Sequence, residues 1–293
     1  MVSKVMPETE LSGGRVVIDR VASQGGVEVA QVTGAGGLVI SAPAVELSSV
    51  GLVSSGWVSV SASGDIVVKD SRVSDPAGEG QFGLTAYGSS QPESLDGVLS
   101  VRSTAGSILI NTADLTGDSV SLDAASKLTL GQFTSTSDAS VDVEDELSML
   151  VAISSASQGS TNRTTARLIG DTVDVYGVGF LSFDAVSITA RGGSAEVDVV
   201  KMDKTVLRAD EVVVDGRKGN VRIGGSIALQ GTAVSIDQLE RRVKVMWNKE
   251  EYGSKFTAKA ANELSVNKTF FDVAEVNLAA QTVVVADTTF RDG

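Results

Sequence analysis

Short segments bearing Val, Ile and Leu return about every twenty residues along this chain of 293, and that spacing constrains its fold more than any single residue does. Leu38 and Ile40 recur as Val58 and Val60 after 20 positions, Val120 and Leu122 as Val141 and Val143 after 21, and Val212 and Val214 as Val234 and Ile236 after 22. Ile108 to Leu128 is a step of 20, Leu128 to Leu147 one of 19, and Val98 to Val120 one of 22. Each segment starts from a turn of Gly, Asp, Asn or Ser and then alternates, as in Gly64-Asp65-Ile66-Val67-Val68, Gly106-Ser107-Ile108-Leu109-Ile110 and Gly219-Asn220-Val221-Arg222-Ile223. Period-two alternation between turn formers is the strand signal, and a short repeat that cannot bury its apolar side alone must stack on its neighbours.

The spacing therefore predicts an all-β fold, a parallel β-helix or solenoid with about 20–22 residues per coil. Three strands and three corners make one coil. About fourteen coils at an interstrand spacing of about 4.8 Å make a rod about 65 Å long. Solenoids grow by adding repeats, so one domain over residues 1–293 is the economical organisation. The rhythm breaks near residues 75–96, 154–165 and 246–254, which predicts insertions projecting from the stack. Helical periodicity is confined to weak patterns over 237–242 and 255–263, each matched equally well by alternation.

Composition excludes several functions. The chain has no histidine and no cysteine, which removes Ser-His-Asp and Cys-His catalysis, histidine or thiolate zinc sites, and disulfides. Its 24 basic and 37 acidic residues give a net charge of −13, which opposes the counterion release that drives nucleic-acid binding. Aromatics are only 4% of residues, too few to line a large ligand pocket, and no apolar run is long enough to span a membrane as a helix. Residues 1–10 lack the apolar core of an export signal, which favours an intracellular or organellar setting, mitochondrial included, over the cell surface.

The stretches 106–130 and 36–68, with their Gly, Asp and alternating aliphatics, resemble the degenerate coils of filamentous-haemagglutinin-type adhesins. They are also similar to adhesin-like solenoids of bacterial surface proteins and of some eukaryotic organellar proteins. The first resemblance implies a right-handed parallel β-helix and surface attachment; the second implies a similar solenoid without an assigned role.

Three groups of residues invite a chemical reading. The acidic run Asp138, Asp142, Glu144, Asp145 and Glu146 suits a hard cation, but its acids alternate with Val141, Val143 and Leu147 as on a solvated strand face. Asp171, Asp174, Asp184 and Asp198, with Arg191 and Lys201, offer the carboxylate pairs a glycosidase needs, yet Tyr176, Phe180 and Phe183 are the only local sugar platforms. The segment 241–259 gathers Arg241, Arg242, Lys244, Trp247, Tyr252 and Phe256 in an otherwise acidic, aromatic-poor chain, and such residues dominate protein interfaces. These six are the candidate partner contacts, weighed against a hairpin that caps the stack. Asn162-Arg163-Thr164 and Asn267-Lys268-Thr269 match the N-glycosylation triplet.

The resulting expectation is a non-catalytic structural scaffold, an accessory subunit contacting proteins in a larger assembly, with no catalytic residue, cofactor or metal. A cell-surface adhesin, with carbohydrate as its ligand, is the alternative. A carbohydrate-active enzyme using carboxylates is the third reading.

Overall fold

The computed structural model describes residues 6–12, 16–18, 22–23, 26–27, 30–48, 50–54, 57–69, 83–86, 97–111, 113–131, 147–148, 151–155, 164–192, 197–225, 227–229, 233–237, 242–246 and 255–290. Among these the fold is all-β, without a helix, and its two large sheets are parallel, with 17 and 10 strands. The two sheets lie side by side, and one is strongly curled as a half-barrel.

The pairing resolves into three ladders that the chain visits in the same order again and again. Ladder one runs in register through Leu38, Val58, Leu99, Val120, Ala166, Val186, Val212, Phe256 and Val276. Ladder two runs through Val45, Ile66, Ile108, Leu128, Val173, Val200, Val221, Leu264 and Val283. Ladder three runs through Leu52, Leu84, Leu115, Ile153, Phe180, Leu207, Ala228, Phe271 and Phe290. The long strands Ala30–Ala42, Val178–Ala190 and Val206–Gly216 serve ladder three with their first half and ladder one with their second, which merges those two ladders into one sheet. Ladder two is the 10-stranded sheet, so the described residues make ten rungs rather than the fourteen expected from uniform spacing.

The register explains the difference. Leu38↔Val58 and Ile108↔Leu128 are neighbours at the expected step of about twenty. Val120, however, pairs with Ala166 rather than Val141, and Leu128 with Val173 rather than Leu147. Val212 and Val214 pair with Phe256 and Ala258, while Val234 and Ile236 belong to a separate antiparallel sheet. Val98 is one residue out of the expected phase, since Leu99 is the partner of Val120. Strand-like insertions of about one repeat length mimic a further repeat in the sequence, so a step near forty reads as two steps of twenty.

Alternation along each strand sends one residue set inward and the other to solvent. Strand Ser119–Ala124 buries Val120, Leu122 and Ala124 and leaves Ser119, Ser121 and Asp123 partly exposed. The interior is one continuous, mainly aliphatic cluster from Ile40 to Phe271, in which the rings of Phe256 and Phe271 lie with centroids 4.9 Å apart. Val199 and Val200 of strand Asp198–Asp203 are both buried because the register slips there.

The corner after ladder two repeats its own geometry. Gly131, Gly177 and Gly225 hold positive φ there, and so do Lys204, Lys268 and Asp287. Backbone N–H groups of Gly177, Lys204, Gly225 and Lys268 donate to carbonyls of the next rung, at Asp203, Gly224, Asn267 and Ala286. One position later Thr205, Thr269 and Thr288 return their hydroxyls to the carbonyls of Asp203, Asn267 and Ala286, at 3.1, 3.0 and 2.8 Å.

Candidate interaction surface

Connections from ladder one to ladder two are short, the longest spanning residues 191–197. The long ones, 19–29, 70–82, 87–97, 131–150, 155–164 and 230–254, all border a strand of ladder three. Insertions in a repeat array map to the face that carries function, because the stacked strands are fixed by packing and the connections are free to vary. Ladder three is the decorated side.

Two of these insertions meet. Leu147–Ser148, from the connection 131–150, pairs antiparallel with Arg242–Met246, which pairs antiparallel with Ala233–Asp237. The register sets Ser148 against Arg242, Leu147 against Val243, Ser235 against Lys244, and Asp237 against Arg242. Arg242 and Lys244 thus stand on the middle strand of a three-stranded sheet made wholly of inserted chain.

Of the other candidate contacts, Arg241, Trp247 and Tyr252 lie outside the described residues. Phe256 does not belong with them: it is 1% exposed, in register with Val212, and part of the core. Its neighbours give the reason, since Lys255-Phe256-Thr257-Ala258-Lys259 alternates as a strand, with Phe256 and Ala258 inward. Lys255 is outward and pairs with Glu275 at 3.1 Å. That bond and one from Asn277, the larger of the two effects, hold the Glu275 carboxyl below its ordinary value.

Of the carboxylates read for sugar chemistry, Asp174, Asp198 and Asp184 are bound within the lattice of strands. Asp174 forms an ion pair with Lys127 and stands in register with Lys201. Asp198 pairs with Arg222 at 3.0 Å. Asp184 accepts the backbone N–H of Thr164 at 2.6 Å and its hydroxyl at 3.2 Å, closing the corner before ladder one. Asp171 sits at an exposed corner against Gly192. Arg191 binds Asp123 at 3.2 Å and the carbonyl of Ala124, reaching back two rungs as a brace. Phe180 and Phe183 are buried, so neither forms a sugar platform, and Lys204 lies 5.5 Å from the ring of Tyr176.

The acidic run 138–146 lies outside the described residues. Among the described residues, no three His, Cys, Asp or Glu side chains are grouped to hold a metal, and no helix is long and apolar enough to cross a membrane. Of the glycosylation triplets, Asn162 lies outside the described residues, and the hydroxyl of Thr269 is buried and donates to Asn267.

Sequence reasoning passed over one feature of ladder three. Its outer column includes Asp114, Ala152, Gly179, Val206, Phe270 and Thr289. Val206 is 0% exposed and Phe270 8%, although their neighbours Leu207 and Phe271 are the ones that point into the core. The signal was present as doubled apolar pairs, Val206-Leu207 and Phe270-Phe271, where a one-sided strand carries a single apolar residue.

Compared with protein-family models, with curated proteins and with solved structures, this chain matches none.

Proposed function

We propose that this chain is a non-catalytic structural scaffold, a right-handed parallel β-solenoid of ten coils whose ladder-three face contacts a protein partner in a larger assembly. The concentration of every long connection on ladder three is the observation that carries the reading, because an array that only needed to be stiff would have no reason to decorate one side. The three ladders are the three faces of the coil, about 20 residues long wherever no insertion intervenes.

The contact centres on the sheet of inserted strands and the segment that follows it. In a chain of net charge −13, Arg242 and Lys244 on its middle strand favour an acidic partner surface, and Trp247 supplies the aromatic anchor such contacts use. A protein partner is expected to co-purify with the native protein, read by mass spectrometry, and replacing Trp247 and Arg242 together by Ala is expected to abolish that co-purification while leaving the melting temperature unchanged. A lowered melting temperature with the same partner retained overturns the reading.

A further inference from the structure

We infer that the inserted antiparallel sheet is seated face to face on the outer side of ladder three, closing the apolar strip that includes Val206 and Phe270.

Two independent observations point there. The first is burial: Val206, Leu181 and Phe270 occupy outer positions, yet they are 0%, 6% and 8% exposed and stand apart from the interior cluster. Something lies over them. The second is the length of the tethers. Strand Leu147–Ser148 is followed at once by Val151–Ser154 of ladder three, and strand Ala233–Asp237 follows closely on Ile227–Leu229 of the same ladder. Fully extended chain spans at most about 3.6 Å per residue, which keeps Ser148 within about 11 Å of Val151 and Ala233 within about 14 Å of Leu229.

Those anchors lie on the fifth and eighth rungs, about 14 Å apart along the stack, and the rungs between them carry Gly179 and Val206. A sheet packed on another stands about 10 Å away, within reach of both tethers. Gly179 adds no side chain to the strip at its centre.

Alternation assigns Val243 and Val245 to one face of the inserted sheet and Arg242 and Lys244 to the other. Seating the valine face on ladder three leaves the Arg–Lys face outward. Only this last step rests on the partner reading, since the seat itself follows from burial and tether length.

Hydroxyl-radical footprinting of the full chain tests the seat without any partner present. Phe270 and Val206 are expected to be protected in the native protein and in an Arg242→Ala, Lys244→Ala variant, and to become reactive in a Val243→Asp, Val245→Asp variant that keeps its β-sheet circular dichroism. Unchanged protection in the valine variant, or equal loss in both, overturns the inference. If the aspartates unfold the chain, Val206→Cys paired in turn with Val243→Cys and Val245→Cys decides, because the native chain has no cysteine. A seated sheet about 10 Å away brings one of the two pairs within the span of a short bismaleimide, so intramolecular cross-linking of one pair is expected, and failure of both pairs to cross-link overturns the seat. Loss of the seat with partner binding intact, or the reverse, separates this inference from the proposed function.

Discussion

A lysine in left-handed backbone is a small local conflict that the repeat imposes. At the corner after ladder two, Gly131, Gly177 and Gly225 meet the demand at no steric cost, whereas Lys268 holds φ 48°. Left-handed backbone costs a residue with a Cβ about 1–2 kcal/mol, and glycine's extra unfolded-state entropy offsets part of that. Lys268→Gly is therefore expected to stabilise the chain by up to about 1 kcal/mol, read as a higher denaturant midpoint with unchanged slope. Thr269→Val next door is expected to destabilise by about 1 kcal/mol, since it removes a buried hydroxyl bonded to the Asn267 carbonyl. Asp203 gives a pH test at the same corner. Burial raises its carboxyl above the ordinary 3.8, against the opposing pull of the Lys204 N–H and charge. A raised acid binds its proton more tightly when folded, so its charged form destabilises, and stability falls as pH climbs through the carboxylate range. Asp203→Asn is expected to gain more melting temperature at neutral pH than at a pH below that range; an equal gain at both would contradict the assignment.

At the scale of the strand, inward and outward phase was legible from alternation alone. Val120, Leu122 and Ile223 fall inside and Ser121 and Arg222 outside, because a period of two admits only two phases and a buried face selects one. Val120→Asp is expected to cost several kcal/mol by burying an unpaired charge, while Ser121→Asp stays within about 0.5 kcal/mol. Equal thermal shifts for the two would mean that the phase is wrong. Which strand pairs with which was legible only where no insertion intervened, as at Leu38↔Val58. Val234 and Ile236 alternate as well as any rung strand, and alternation is local; it does not say whether the neighbour is parallel in the array or antiparallel in a hairpin. The same ambiguity placed Phe256 among the contact residues, although its strand continues the Val212 ladder into the core. The doubled apolar pairs that mark the covered strip were visible but carried no meaning until the register showed which member faced out.

At the scale of the whole molecule, the described residues form three regular ladders, of which the first joins the second by short turns while the third collects the insertions. Charge and composition gave no hint of this sidedness, because it depends on where each insertion falls in the cycle rather than on what it contains. The register is the claim on which the rest depends, above all the pairings that skip across an insertion. Ser100, Ser121 and Arg167 are consecutive outward neighbours on ladder one, although 46 positions separate the last two. Adjacent parallel strands lie about 4.8 Å apart, which suits a disulfide, and the native chain has no cysteine to compete. The most direct measurement is oxidative cross-linking of Ser121→Cys paired with Arg167→Cys, set beside Ser121→Cys paired with Asp142→Cys, the partner that an uninterrupted step of about twenty would choose. The account expects the 121–167 pair to close and the 121–142 pair to remain reduced; closure of the 121–142 pair with the 121–167 pair left open would contradict it.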